Sequence, residues 1–165
     1  MVIVNNISFI GMAGCGKSTI GAALSIKLGI NFIDTDLLIE EKFKTSLEQI
    51  KKDNGYKFVR HAEEEAILSL NKHIKIISTG GSAVYSEKSM SHLSSFSKIV
   101  YISTPLDEIK KRIGQGQQRG LAAPSGLSID EIYHEREPLY RKWADITLDG
   151  KESVDSLVTN IMRLI

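Results

Sequence analysis

Short runs of consecutive apolar residues alternate along the chain with longer stretches in which apolar residues recur every three or four positions. Ile7 to Ile10 is the first short run, ends at Gly11, and predicts a buried strand. Ser18 to Leu28 follows with Ile20, Ala23, Leu24 and Leu28 at helical spacing, and Gly29 supplies the stop. Further strands are predicted over Asn31 to Asp34, Ile74 to Ser78, Lys98 to Ile102 and Asp145 to Leu148. Ser46-Leu-Glu-Gln49 has the form of a capping box opening a short helix, and Tyr56 to Leu70 reads as a longer one. Pro105 sits at a helix start, Ser128 to Lys142 is helical, and Ser153 to Leu164 closes the chain as an amphipathic helix. Between them, Gly114 to Gly126 is a Gly- and Gln-rich loop.

Strands alternating with helices predict βαβ units: an α/β fold with a mostly parallel sheet covered by helices on both faces. At 165 residues the chain suits one domain, taken as residues 1–165. Charge removes whole classes of function. With 21 Lys plus Arg against 20 Asp plus Glu, the net charge of +1 argues against a general nucleic-acid binder, which needs clustered positive charge. Cys15 is the only cysteine, so no intrachain disulfide forms, and a reducing cytoplasm is expected. No apolar run approaches membrane-spanning length, and MVIVNNISFI lacks a basic start and a cleavage site, so neither a membrane partner nor a leader is expected.

Gly11-Met-Ala-Gly-Cys-Gly16-Lys17-Ser18 matches the Walker A pattern and falls where that pattern must fall, after a strand and before a helix. The glycines let the backbone curl so that its N–H groups face phosphate oxygens, and the helix adds its positive end. Lys17 would bridge the β- and γ-phosphates of ATP, and the Ser18 hydroxyl would ligate Mg²⁺. Gly11, Gly14, Cys15, Gly16, Lys17, Ser18 and Thr19 are therefore the candidate nucleotide contacts. The bland alternative is a glycine-rich turn with a surface lysine. The base-reading and γ-phosphate-sensing motifs of nucleotide switches are absent, and so is the four-cysteine lid of some adenylate-type kinases. A compact small-metabolite kinase remains. Asp34-Thr-Asp36 ends the second strand, and alternation would aim both carboxylates to one side at the carboxyl edge of the sheet, one for magnesium and one to take a proton from a substrate hydroxyl. Helix capping is the competing use of such aspartates.

GMAGCGKS, DTD, FVRHAEEE around Arg60, STGGSAV around Gly80 and Gly81, QQRGLAAP around Arg119 and REPLY from Arg136 occur in one order over nearly the whole chain. In this the sequence resembles the shikimate kinase family. The resemblance implies a three-layer P-loop NTPase fold with five parallel strands in the order 2-3-1-4-5, substrate-binding helices at about 34–62 and a short lid at about 112–126. It implies a monomeric, ATP-dependent and Mg²⁺-dependent phosphotransferase that phosphorylates the 3-hydroxyl of shikimate. Asp36 takes the role of base and ring-hydroxyl ligand, and Asp34 the metal side with Ser18. Arg60 and Arg136 clamp the substrate carboxylate, Gly80 and Gly81 complete the substrate contacts, Arg119 is the lid arginine and Arg112 lies on the adenine side.

Each of these residues also has a plain structural use. Arg60 precedes Glu63 and Glu64 by three and four positions, which suits an exposed intrahelical ion pair. Arg136 sits among Glu135, Glu137 and Arg141, as on a solvated face. Gly80-Gly81 could form a simple turn, Arg119 could be a surface loop charge, and Arg112 could answer a helix C-terminus. Two positions depart from the family pattern: Ser82 stands where a third glycine is usual, and Gly120 where proline follows the lid arginine. A serine would be strained if that backbone needs positive φ. A kinase for another hydroxylated acid such as gluconate, and a nucleotide-binding regulator without catalysis, are the two competing readings.

Overall fold

The structure, a computed structural model, describes residues 6–114 and 121–165. Its centre is β1 (Ile7–Ile10), whose side chains are all buried, as expected of a strand covered on both faces. Strands β2 (Phe32–Asp34), β3 (Ile76–Ser78), β4 (Lys98–Ser103) and β5 (Ile146–Asp149) join it in one parallel sheet of order β2-β3-β1-β4-β5. Register places Phe9 opposite Ser78 on one side and Val100 on the other. Only edge strand β5 alternates, with Ile146 and Leu148 half-buried and Thr147 and Asp149 exposed.

Eight α-helices surround the sheet among the described residues: α1 (Lys17–Leu28), α2 (Thr35–Phe43), α3 (Leu47–Asn54), α4 (Tyr56–Leu68), α5 (Glu87–Ser94), α6 (Leu106–Gly114), α7 (Ile129–Trp143) and α8 (Val154–Leu164). The sheet order and the helical layers match the expectation from sequence. Two features differ. Strand β2 stops at Asp34 and α2 begins at Thr35, so Asp34 and Asp36 are not alternate residues of one strand; Asp34 is instead the N-cap whose carboxylate accepts the Asp36 N–H at 2.9 Å. Ser46 caps α3 as predicted, but the Gln49 side chain donates to Asp53 at 2.8 Å, leaving the box half formed. The complete capping box is at α7. There Ser128 Oγ accepts from the Glu131 N–H at 3.2 Å, and Glu131 Oε2 accepts from the Ser128 N–H at 2.8 Å.

Two apolar clusters divide the molecule. The larger, around Phe9, Leu24, Ile77, Tyr101 and Ile161, fills both faces of the sheet. The smaller joins Ile39, Leu47, Ile50, Val59 and Ala62 of α2, α3 and α4 to Ala122, from the segment that leads into α7. It forms a separate wall at the carboxyl edge of the sheet, where α/β proteins bind ligands. Ser128→Ala should destabilise the fold by about 1 kcal/mol, lowering the melting temperature by roughly 2–4 °C, because it leaves a helix N–H without its acceptor. An unchanged melting temperature would show that the cap is not needed to seat α7.

Candidate active site

The loop between β1 and α1 turns left-handed at Gly14 and Gly16, with φ of 80° and 100°, conformations that only glycine adopts without strain. Gly16 is the N-cap of α1, so the first N–H groups of that helix open toward a cavity of about 350 Å³. Ala13, Gly14, Gly16, Lys17, Ser18 and Thr19 line one end of it. Lys17 is buried in the loop, its Nζ donating to the carbonyls of Gly11 at 2.7 Å and Met12 at 2.9 Å. The Ser18 hydroxyl donates to Asp34 Oδ2 and lies 3.3 Å from the Ser78 hydroxyl. Hydroxyl and carboxylate oxygens with no nitrogen or sulfur suit a hard cation that keeps phosphate and water ligands, the habit of Mg²⁺. Arg112 of α6 ties the loop to β5 by donating to the carbonyls of Gly14 at 3.2 Å and Gly150 at 3.1 Å.

The other end of the cavity is built by the second wall and the turn after β3. Asp36, Glu63, Gly80, Gly81, Ser82 and Arg136 line it. In α7, Ile132, Arg136 and Tyr140 are the buried residues, spaced by four, so Arg136 points inward while Glu137 pairs with Arg141 outside. Arg136 is 1% exposed. Its guanidinium donates to the Ala122 carbonyl at 3.1 Å and the Tyr85 hydroxyl at 3.3 Å, and among the described residues it makes no ion pair within 4.0 Å. Arg60 reaches the same carbonyl from α4, its Nε at 2.8 Å. Both guanidinium groups lie over the Tyr85 ring, at 3.8 Å for Arg60 and 5.4 Å for Arg136.

Glycine is required in the turn by proximity, not by φ. A Cβ on Gly80 would stand 2.2 Å from Glu63 Oε1 and 2.7 Å from Asp36 Oδ1, and one on Gly81 would stand 2.9 Å from an Arg136 nitrogen. Ser82 has φ of −93°, so a side chain there carries no backbone strain, and its hydroxyl donates to Glu63 Oε2. Tyr140, fully buried, fixes the turn by donating to the Gly81 carbonyl at 2.6 Å.

The structure thus gathers Lys17, Ser18, Asp36, Gly80, Gly81 and Arg136 around one cavity, with Asp34 beneath Ser18. Gly11 and Cys15 shape the loop from behind and do not line the cavity, and the Cys15 side chain is buried. Arg60 lines an adjoining hollow of about 280 Å³ on the far side of Glu63 and Ser82. It pairs with neither Glu63 nor Glu64, because the stacking on Tyr85 and the Ala122 carbonyl draw it across the fold. Arg119 and Gly120 lie outside the described residues.

Glu63 and Ala122 complete the site without having been predicted, and they are joined by Tyr85 and by Ser82, which the sequence marks only as a departure from the family pattern. Glu63 had a readable signal: with Val59, Ala62 and Ile67 it occupies the buried stripe of α4, a carboxylate where an apolar residue belongs. Burial and, next, the nearby Asp36 push its carboxyl up to about 7, against the Ser82 hydrogen bond and the positive charges of Arg136 and Lys17. A carboxyl whose folded pKa is raised contributes stability that is fully present below the unfolded value and is lost as pH rises through about 7. Glu63→Gln should therefore gain stability relative to the unsubstituted protein as pH goes from about 5 to about 8, measured by urea unfolding; a pH-independent difference would contradict the raised pKa.

Comparisons with known proteins give the family. The family model described as shikimate kinase matches residues 13–165. The shikimate kinase of Actinobacillus pleuropneumoniae serotype 5b (strain L20) is 35% identical over 164 residues, covering 97% of this chain and 95% of that protein. That of Clostridium beijerinckii is 35% identical over 162 residues, covering 98% and 95%. The solved shikimate kinase from Acinetobacter baumannii in complex with shikimate superposes with a TM-score of 0.86 at 27% identity, covering 98% of this chain and 93% of that one. Sequence and fold agree, and the chain belongs to the shikimate kinase family.

Proposed function

We propose that this chain, an ATP-dependent kinase by family, transfers the γ-phosphoryl group of ATP to the 3-hydroxyl of shikimate, giving shikimate 3-phosphate and ADP. The observation that carries the acceptor assignment is Arg136: a guanidinium that stays charged, is 1% exposed and forms no ion pair with a described carboxylate. A buried charge left without a counter-charge costs roughly several kcal/mol, so the site favours an anionic ligand. With Arg60 beside it on the same carbonyl and the same tyrosine ring, the pair offers planar donors suited to a carboxylate.

In this reading Lys17 turns from the loop carbonyls to the β- and γ-phosphates, while the glycine loop and the N-terminus of α1 hold the remaining oxygens. Gly11, Gly14, Cys15, Gly16 and Thr19 belong to that cradle, and Arg112 closes its adenine side. Ser18 and Asp34 would hold Mg²⁺, which supplies charge neutralisation on the phosphates when bound. Asp36, at the acceptor end, orients the attacking hydroxyl and accepts its proton. Gly80 and Gly81 let the acceptor approach the backbone closely, and Arg119 brings positive charge on the lid. Positioning of the hydroxyl by Asp36 and the positive charge of Lys17 supply the two terms on which phosphoryl transfer mainly depends, orientation and charge stabilisation. Among the described residues no helix is long and apolar enough to cross a membrane.

A coupled ADP-release assay with Mg²⁺-ATP tests the assignment by comparing shikimate, gluconate and no acceptor. Release should depend on shikimate; release with gluconate alone, or equal release without acceptor, would overturn it. In the same assay Arg136→Lys should raise the shikimate KM by about 10- to 100-fold while the ATP KM stays within about twofold, since one or two charged hydrogen bonds are lost. Asp36→Asn should abolish turnover while ATP binding persists, and normal turnover in that variant would remove Asp36 from the mechanism.

A further inference from the structure

Tyr85 follows directly on STGGSAV, outside every motif of the sequence, and both Arg60 and Arg136 rest on it. It is the last residue of the short 3₁₀ turn Ala83–Tyr85 and is half-buried. The Arg60 guanidinium lies 3.8 Å from its ring centre and the Arg136 guanidinium 5.4 Å, while Arg60 also lies 4.9 Å from the ring of Tyr56 in its own helix. The two arginines share the Ala122 carbonyl as an acceptor, so like charges stand close together, and neither has an ion pair within 4.0 Å among the described residues. The negative face of an aromatic ring attracts a cation without cancelling its charge. An acidic residue in its place would hold the arginines too, but it would take the fork that an anionic ligand needs.

The Tyr85 hydroxyl sets the direction of Arg136. It donates to Glu135 Oε1, an acceptor-only group when ionised, and so keeps a lone pair for the Arg136 Nε–H at 3.3 Å. Nε and Nη2 lie on one edge of the planar guanidinium; Tyr85 takes the first, and Ala122 takes the second at 3.1 Å. Nη1 is left, with no hydrogen bond among the described residues, beside Gly81 in the cavity wall, where an added Cβ would meet it at 2.9 Å.

Resting on the acceptor assignment above, we propose that Tyr85 is a positioning residue for the substrate carboxylate: its ring holds the two guanidinium groups side by side, and its hydroxyl turns Arg136 so that Nη1 meets the ligand. Tyr85 does not line the main cavity and acts through the arginines. Without the ring, Arg60 is within reach of Glu63 and Glu64, three and four positions along its own helix, and an ion pair there would withdraw it from the substrate.

The test measures the KM of shikimate and of its neutral methyl ester, with kcat and the ATP KM, for Tyr85→Leu, Tyr85→Phe and the unsubstituted protein. Leucine keeps apolar bulk but offers neither ring face nor hydroxyl. Tyr85→Leu should raise the shikimate KM by about tenfold while kcat, the ATP KM and the ester KM stay within about twofold. Tyr85→Phe keeps the stack and loses the hydroxyl, so the rise should be about threefold; filling the same space, it carries the test if the leucine variant fails to fold. A rise shared equally by acid and ester would mark a general loss of packing and overturn the proposal. A shikimate KM unmoved by either substitution would remove Tyr85 alone, whereas no turnover of shikimate by the unsubstituted protein would bring down the acceptor assignment and this proposal with it.

Discussion

The proposed acceptor end of this protein depends on one buried guanidinium. Arg136 lies in the inward stripe of α7 between Ile132 and Tyr140, and its surroundings are arranged to tolerate it: the Ala122 carbonyl, the Tyr85 hydroxyl and ring, and Glu63 acting through space. These are dipoles and a carboxyl that burial drives toward its neutral form. They satisfy hydrogen bonds without cancelling the charge, which leaves a site complementary to an anion. Gly81 follows from the same constraint, because a Cβ there would meet the guanidinium at 2.9 Å.

The two apolar clusters give this chemistry its mechanical setting. The proposed nucleotide end is mounted on the main core, with the loop after β1 braced by Arg112 against Gly150. The acceptor end is mounted on the smaller cluster of α2, α3 and α4, which Ala122 joins from the far side. The carbonyl of Ala122 receives both Arg60 and Arg136, so the segment that leads into α7 touches both arginines.

Much of this was legible in the sequence, for physical reasons. Strand β1 and the Walker A glycines are local signals: an unbroken apolar run, then residues whose backbone must turn left-handed. Arg136 was legible only by resemblance, since its neighbours Glu135, Glu137 and Arg141 make the local sequence look solvated, and helical spacing to Ile132 and Tyr140 is what buries it. Glu63 was hidden by Arg60, three residues earlier, which looked like its partner and is instead drawn to Tyr85 and Ala122, distant in sequence. The aspartates of DTD were placed in the right region by the wrong geometry: Asp34 caps α2, and the helix, not strand alternation, sets the direction of Asp36. Ser82 looked like a liability until its φ of −93° showed that the turn accepts a side chain.

The measurement that bears most directly on the buried-charge account is calorimetric binding of shikimate and of its neutral methyl ester, which keeps the ring and every hydroxyl. If Arg136 awaits a counter-charge, the acid should bind about 10- to 100-fold more tightly than the ester, the worth of one or two charged hydrogen bonds in a dry site. Equal affinities would mean that the carboxylate does not neutralise Arg136, and the account of the acceptor end would have to be abandoned.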